Sequence, residues 1–357
     1  MKYINRITKY IFNSKLYQFW IEYRIKCNEQ KRFIANAKAN MGEAILPLHD
    51  TSKILYSYVK DMKRYMVDFD EWNNMYDFKN LTCEEKSTYI SRSNAQKLYR
   101  KIIKPEWRDL FNNKEKFLIE FSRYIHRFYY KVTDDSKYEN ISDIISKYSV
   151  IVKPINGSLG NGIYKITPSY TNLEKDIIIS RILKEKPLIE ECISGCEELQ
   201  LFHPNSLNTI RIVTINNGVS NSVLGAFFRM GRGGNIIDNA HAGGIFAPID
   251  IKSGKIDAPG MDTFGNRYEH HPDSKKTIIG FQIPYWEQIM KLCIEAHDKC
   301  PNFIVGWDVV INKNNDIEFI EANHAPDMDV MQGPRRIGIR NEFELAYNGF
   351  INKKTYV

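Results

Sequence analysis

No run of apolar residues reaches the roughly 20 that a membrane span needs. No export signal is read at Met1 to Trp20, where Lys, Arg and Asn alternate with apolar side chains. Internal repeats and low-complexity segments are missing too. Cysteine is sparse: Cys27, Cys83, Cys192, Cys196, Cys293 and Cys300 include no CxxC pair. Reduced thiols are therefore expected, and Cys192 with Cys196 lacks the second pair that a zinc site needs. A strong charge of one sign is also absent. The net charge of +7 is modest and mostly dispersed, and no RNA- or DNA-binding signature accompanies it, so no nucleic-acid partner is expected.

Two familiar phosphate loops are missing as well. A Walker loop needs Gly-Lys-Ser/Thr opening a helix, and Gly162 is followed by Ile163 and Tyr164. A dinucleotide fingerprint reads G-x-G-x-x-G before a helix. Here Gly157, Gly160 and Gly162 give G-x-x-G-x-G before a second strand.

What is present is a chain of 357 residues, long enough for a sizeable core and two or three domains. Its central stretch runs from Ser149 to Ile166. A β-branched run reads as a buried strand and ends in Lys153. The loop from Gly157 to Gly162 follows, then a short strand. Glycines let backbone N–H groups converge on an anion, and Lys153 adds a fixed positive charge. The stretch reads as a phosphate cradle, with an ordinary glycine-rich hairpin as the alternative.

Residues 1–34 are basic, with aromatic side chains interleaved. The segment is expected to pack its aromatic stripe on the body of the protein. Weak contact with an anionic membrane surface is the alternative. Ala35 to Trp107 is helical in pattern, with Ser91 to Ala95 entering a helix. A further helix is expected from Leu110 to about Tyr129, and others over Ile141–Lys147, Asn172–Leu183 and Trp286–Lys299. Strands are expected within Pro187–Glu197, a short buried strand ending in acidic residues and a glycine turn, and at Asn208–Ile215 and Val223–Arg229. Two more, Ile304–Ile311 and Ile317–Asn323, flank the turn Asn312–Asp316.

That last pair carries the second signal. Asp308 sits in an apolar strand, and Glu321 and Asn323 are two apart, so they share a face. If the strands pair antiparallel, Asp308 can join them. Three oxygen ligands suit Mg²⁺. The alternative is that Asp308 pairs with an arginine and Asn323 caps a turn. Arg211 and Arg229 lie within strands and can each hold a phosphoryl oxygen or a carboxylate. The alternative for each is a surface arginine on an edge strand.

Lysine, glycine hairpin, acidic hinge, strand arginine, Asp and Glu-x-Asn follow one another in the order seen in the ATP-grasp superfamily. The chain most resembles its sugar-transfer-associated branch, found with bacterial surface-polysaccharide genes. The likeness rests on Lys153-Pro154, the Gly157–Gly162 loop, Ser206 to Arg211, Gly243-Gly244 and Glu321-Ala322-Asn323, and covers Asn113 to about Gln332. It implies an α/β (α+β) fold in which two α/β subdomains clasp ATP. The expected divisions are a helical, basic N-terminal region (1–109), a subdomain with the glycine-rich lid (110–187) and a subdomain with the metal and acceptor sites (188–357). The helical region departs from the family's usual compact α/β pre-domain.

The resemblance also implies roles. Lys114 and Lys153 would reach the nucleotide phosphates, and Gly157, Ser158, Gly160 and Gly162 would close over them. Glu190 would meet the adenine amino group, and the backbone of Glu191 and Ile193 would read the adenine edge. Glu197, or Glu198 beside it, would bind ribose. Asp308, Glu321 and Asn323 would hold Mg²⁺, and Arg211 would stabilise the transferred phosphoryl group. Arg229 and Gly231–Gly234 would hold an oxyanion or carboxylate. The implied reaction is ADP-forming ligation of a carboxylate to an amine through an acylphosphate. The expected partners are an acidic sugar of a surface polysaccharide and an amino acid or small amine, and the expected location is cytoplasmic. A kinase acting on a sugar or polyol hydroxyl, and a nucleotide-binding protein without turnover, are the alternatives.

Overall fold

A computed structural model describes residues 48–156, 162–234, 238 and 243–354. The basic segment 1–34 and the loop residues Gly157, Ser158 and Gly160 lie outside the described residues. Two antiparallel sheets organise the rest. The smaller contains β1 (Tyr129–Lys131), β2 (Val150–Lys153), β3 (Tyr164–Ile166) and β4 (Leu188–Glu191), in the order β1-β4-β2-β3. Along β2, Val150 and Val152 are buried. They pack under helices Tyr138–Lys147 and Asn172–Glu185 through Ile141, Ile145, Ile179 and Ile182. The second of these helices opens on a capping box, in which Thr171 and Glu174 satisfy each other's backbone N–H groups.

The larger sheet contains β5 (Ile210–Asn216), β6 (Asn221–Met230), β7 (Ile245–Pro248), β8 (Gly260–Met261), β9 (Arg267–Tyr268), β10 (Ile304–Ile311) and β11 (Ile317–Asn323). Its order is β11-β10-β5-β6-β7-β8-β9. One face carries Ile212, Trp307, Val309 and Phe319, and is covered by helix Trp286–Lys299 and by Phe111, Phe117 and Phe121. Alternation along the strands sends Val213, Ile215, Phe227 and Ile304 to the other face. There they meet Tyr58, Trp72, Tyr76, Phe78 and Tyr99 of the helical N-terminal region, and Phe343 and Phe350 of helix Arg340–Lys354. Arg211, Asp308 and Arg229 follow on this second face by the same period of two. The N-terminal region thus shares a face of the sheet with the candidate site.

Two expectations are corrected. The helix expected from Leu110 to about Tyr129 is two helices, Pro105–Asn112 and Lys114–Glu120, then a 3-10 turn at Ser122–Tyr124. Asn113 breaks it. Its backbone is extended (φ −104°, ψ 107°), and its side chain accepts the Lys116 N–H at 3.0 Å. It also bridges to Asn156, while Lys114 N–H donates to Ile155 O at 3.0 Å. Tertiary pairing with the end of the glycine hairpin thus overrides local helix propensity. The second correction is the 187/188 boundary, because β4 pairs with β1 and β2 and so belongs to the small sheet. The chain crosses to the large sheet after Glu191. There Cys196 N–H donates to Ile311 O at 2.8 Å and Lys313 N–H to Ser194 O at 2.9 Å.

The cysteines among the described residues, Cys83, Cys192, Cys196, Cys293 and Cys300, are free thiols. No helix among those residues is long and apolar enough to cross a membrane.

Candidate functional site

The first charged cluster forms on the small sheet. β4 lies between β1 and β2, with Glu190 opposite Tyr129 on one side and Ile151 on the other. Lys153 is two residues beyond Ile151, and Arg127 two before Tyr129, so both can flank Glu190 on one face. Lys153 Nζ lies 3.0 Å from Glu190 Oε2, and Arg127 Nε donates to the same oxygen at 2.5 Å. Burial alone would raise the Glu190 pKa, but the two cations hold it down to about 2. Its carboxylate is 3% exposed and bonded to two cations, contacts that its place in the hinge did not predict.

The second cluster forms on the large sheet. Arg211 donates to Asp308 through Nε and through Nη2, the latter at 2.8 Å to Oδ2. Arg229 Nη2 reaches the same Oδ2 at 2.9 Å. Burial again pushes the Asp308 pKa up, and the two guanidiniums bring it to about 2. Both arginines point inward, not out from an edge strand. Arg229 Nε donates to Thr209 Oγ1 at 2.8 Å, and Asp238 Oδ2 accepts the Thr209 N–H at 2.7 Å and its hydroxyl at 2.6 Å.

Glu321 comes opposite Asp308 only because the ladder slips. β10 and β11 run in register from Ile311–Ile317 to Val309–Phe319, and then Asp308 pairs with Glu321. An unbroken ladder would set Asp308 against Ile320 and turn Glu321 toward the core with Trp307. One extra residue, Ile320, reverses the face of everything after it. Asn323 then sits opposite Gly306, on the Asp308 side.

The contacts of the alternative reading are present: Asp308 is paired to Arg211 and Arg229, and Asn323 closes a turn. Asp308, Glu321 and Asn323 still line one side of the ladder as oxygen donors of the kind Mg²⁺ takes. Asp308 and Glu321 stand opposite each other across the ladder. The protein around Glu321, and then the Asp308 charge, raise its pKa. Arg211 and Arg229 supply positive charge to Asp308 and also pull the Glu321 pKa down, so they offset part of the repulsion between the two carboxylates. Oxygen donors alone favour a hard cation. Asn323 Oδ1 also accepts the Ala325 N–H at 2.9 Å, closing a turn. Among the described residues no three His, Cys, Asp or Glu side chains gather as a metal cluster. The set is two carboxylates and an amide.

Lys114 connects the clusters. It is the first residue of its helix, beside the hairpin, and its pKa is lowered. Burial is the main cause. Glu321 opposes it, Lys153 adds to it and Glu190 opposes it. Groups from both sheets are therefore within electrostatic reach of one ammonium.

The packing leaves little slack. A Cβ on Gly306 would lie 3.0 Å from Pro326 Cβ and 3.3 Å from Arg211 Cδ and Nη1. Gly306→Ala is expected to cost about 1–3 kcal/mol as overpacking. Urea unfolding measures it, and a change below about 0.5 kcal/mol would show that Pro326 or Arg211 shifts freely.

The other expected residues lie on the connections. Gly162 has φ +74°, a conformation suited to glycine. Glu191 and Ile193 lie on the hinge, where the Ile193 N–H donates to Glu191 O at 3.1 Å. Glu197 opens the short helix Glu197–Gln200 and, like Glu198, is exposed. Gly231 and Gly233 are held by side chains: His271 Nε2 and Gly231 O are 2.8 Å apart, as are His203 Nε2 and Gly233 O. Arg127, Thr209 and Asp238 carry roles that the sequence reading did not assign. For Arg127 the available signal was Glu318, a charged residue between apolar ones in β11.

The sugar-transfer associated ATP-grasp family matches the chain over residues 87–346. No curated protein matches it. Solved structures with a similar fold include the ATP-grasp ligase PsnB complexed with minimal precursor, Mg and ADP (12% identity, 80% of this chain and 75% of that chain, TM-score 0.44). The D-alanine-D-alanine ligases from Coxiella burnetii (10% identity, 69% and 60% coverage, TM-score 0.41) and Bacillus anthracis (13%, 70% and 70%, 0.41) are others. In PsnB complexed with minimal precursor alone, the match spans 62% of that chain. With residues 87–346 matched in a chain of 357, this protein belongs to the sugar-transfer associated ATP-grasp family.

Proposed function

We propose that the protein is an ATP-dependent, ADP-forming carboxylate–amine ligase. The observation that carries this reading is the pair of charged clusters on the two sheets, Lys153 with Glu190 on the small one and Arg211, Arg229 and Asp308 opposite Glu321 on the large one, with Lys114 tied through its N–H to Ile155 O beside the hairpin. A phosphate chain lying between the clusters would meet the lysine ammonium groups on one side and the carboxylate pair on the other. Asp308, Glu321 and Asn323 would hold Mg²⁺, which would neutralise phosphate oxygens.

The residues divide the work. Lys153 and Lys114 bind the β- and γ-phosphates. A substrate carboxylate oxygen attacks the γ-phosphorus, the bond to the bridging oxygen breaks and ADP leaves. Arg211 and Arg229, fixed on Asp308, offset charge on the transferred phosphoryl group. The amine nitrogen then attacks the acyl carbon. The tetrahedral oxyanion gathers beside the arginines and the Gly231–Gly234 stem, and collapse releases phosphate and a proton. The hinge from Glu191 to Glu197 holds the nucleoside. The family association with sugar transfer supports an acidic sugar of a bacterial surface polysaccharide, such as capsule or O-antigen, as the carboxylate, with an amino acid or small amine as its partner. ATP supply puts the reaction in the cytoplasm, and any weak contact with the inner face of the membrane would run through residues 1–34.

Calorimetry tests the first step. Mg²⁺-ATP is expected to bind with micromolar to millimolar affinity and to raise thermal stability by mass action. Absence of binding with Mg²⁺ present overturns the reading. Lys153→Ala is expected to weaken ATP binding about tenfold or more without unfolding the protein, because Arg127 still neutralises Glu190. Wild-type affinity in that variant would remove Lys153 from the phosphate site. ADP release screened over sugar acids and amines tests the second step. ADP release without an amine, with a stable phosphoester product, would identify a kinase instead.

A further inference from the structure

The extra residue in β11 decides whether Glu321 faces Asp308 or the core, and something must hold it in place. The β10–β11 turn does not, since the ladder runs regularly from Ile311–Ile317 to Val309–Phe319 and slips only afterwards. Arg127 reaches the slip itself. Its Nη1 donates to Glu318 Oε1 and to Phe319 O, each at 2.8 Å, and its Nη2 donates to Ile320 O at 3.2 Å. Its backbone N–H donates to Glu318 Oε1 at 2.9 Å.

Consecutive carbonyls of a regular strand point to opposite sides. Phe319 O and Ile320 O meet one guanidinium, which requires the local twist of a bulge. β11 is an edge strand, so among the described residues no further strand holds these carbonyls. A planar fork with five donors can bind two carbonyls and a carboxylate together, whereas an ammonium is a point contact.

We propose that Arg127 is a positioning residue that fixes the Ile320 bulge and so keeps Glu321 opposite Asp308. The Nε of the same guanidinium is committed to Glu190, which also holds Lys153. The strut therefore runs from the phosphate lysine on the small sheet to the carboxylate pair on the large one. The inference rests on the proposed function only in taking that pair as the metal face.

The test uses the full chain and the variant Arg127→Lys, which keeps the charge but loses the fork. Two quantities are read: hydrogen exchange of amides 319–323 in the ligand-free protein, and ATP affinity by calorimetry with and without Mg²⁺. In the variant, these amides should exchange at least about tenfold faster than in wild type, with the other strands of the large sheet unchanged. Metal-free ATP affinity should stay within about threefold, while the gain in affinity from Mg²⁺ falls at least about tenfold. A folded variant with wild-type exchange in β11 and a wild-type Mg²⁺ gain overturns the proposal. Wild-type protein that binds no ATP would sink the ligase reading instead, and the exchange comparison alone would then decide the bulge. If Arg127→Lys does not fold, the triple variant Arg127→Met, Glu190→Gln, Glu318→Gln removes the buried charges of both signs. The same two readouts and the same overturning result apply to it.

Discussion

Arg127→Ala is expected to lower folding stability by about 3–5 kcal/mol, the range for breaking a buried ion pair from one side. The arginine side chain is 2% exposed, and its partners Glu190 and Glu318 are 3% and 0% exposed. Removing it leaves Glu318 with a buried charge and no cation that bonds it, since its Oε1 is held by Arg127 and its Oε2 has no partner. Glu190 keeps Lys153. The carbonyls of Phe319 and Ile320 lose donors as well. The pH dependence has a definite sign. The two cations hold the Glu190 pKa down to about 2, below the ordinary glutamate value of 4.5, so its stabilising pairing is present above about 4.5 and is lost as pH falls toward 2. The gap between wild type and variant should therefore be widest near neutral pH and narrow in acid. Urea titrations at several pH values measure it. A gap under about 1 kcal/mol at pH 7 would mean that water or backbone donors replace the guanidinium.

What could be seen in the sequence follows from which interactions are local. The strands around Asp308 and Glu321 were legible because both are runs of β-branched and aromatic residues with a polar turn between them. Helix Trp286–Lys299 was legible because Trp286, Ile289, Cys293 and Ala296 recur on one face. The break at Asn113 was not, because its cause is a bridge to Asn156 and a bond from Lys114 to Ile155. Both partners are more than 40 positions away. The placing of Asp308 with Glu321 was anticipated for an incomplete reason. Strict alternation from the turn would have separated them, and the bulge that unites them is held by Arg127, nearly two hundred positions earlier. Glu190 was assigned by its place in a motif, whereas its neighbours across two strands decide what it touches. The helical N-terminal region showed its helices but not that its aromatic core lies on the same sheet face as the site.

Glu321→Gln is expected to reduce turnover at least about a hundredfold, equivalent to about 2.7 kcal/mol of transition-state stabilisation. Of the two carboxylates it is the cleaner to replace. Asp308 is 1% exposed and bonded to both Arg211 and Arg229, so Asp308→Asn would leave two inward guanidiniums undercompensated and disturb folding along with chemistry. Glu321 is open to solvent, and glutamine keeps its shape. The lost negative charge weakens the hold on Mg²⁺, so the phosphoryl oxygens are less neutralised as ADP departs. Metal-free ATP binding should change little, because Lys153 and Lys114 remain. A second readout does not depend on turnover: the Mg²⁺ concentration at the midpoint of the gain in ATP affinity, followed by calorimetry, should rise in Glu321→Gln. Unchanged turnover and an unchanged Mg²⁺ midpoint in the variant would make the carboxylate pair a structural feature of the β10–β11 ladder, and phosphoryl transfer would have to be assigned to another face of the sheet.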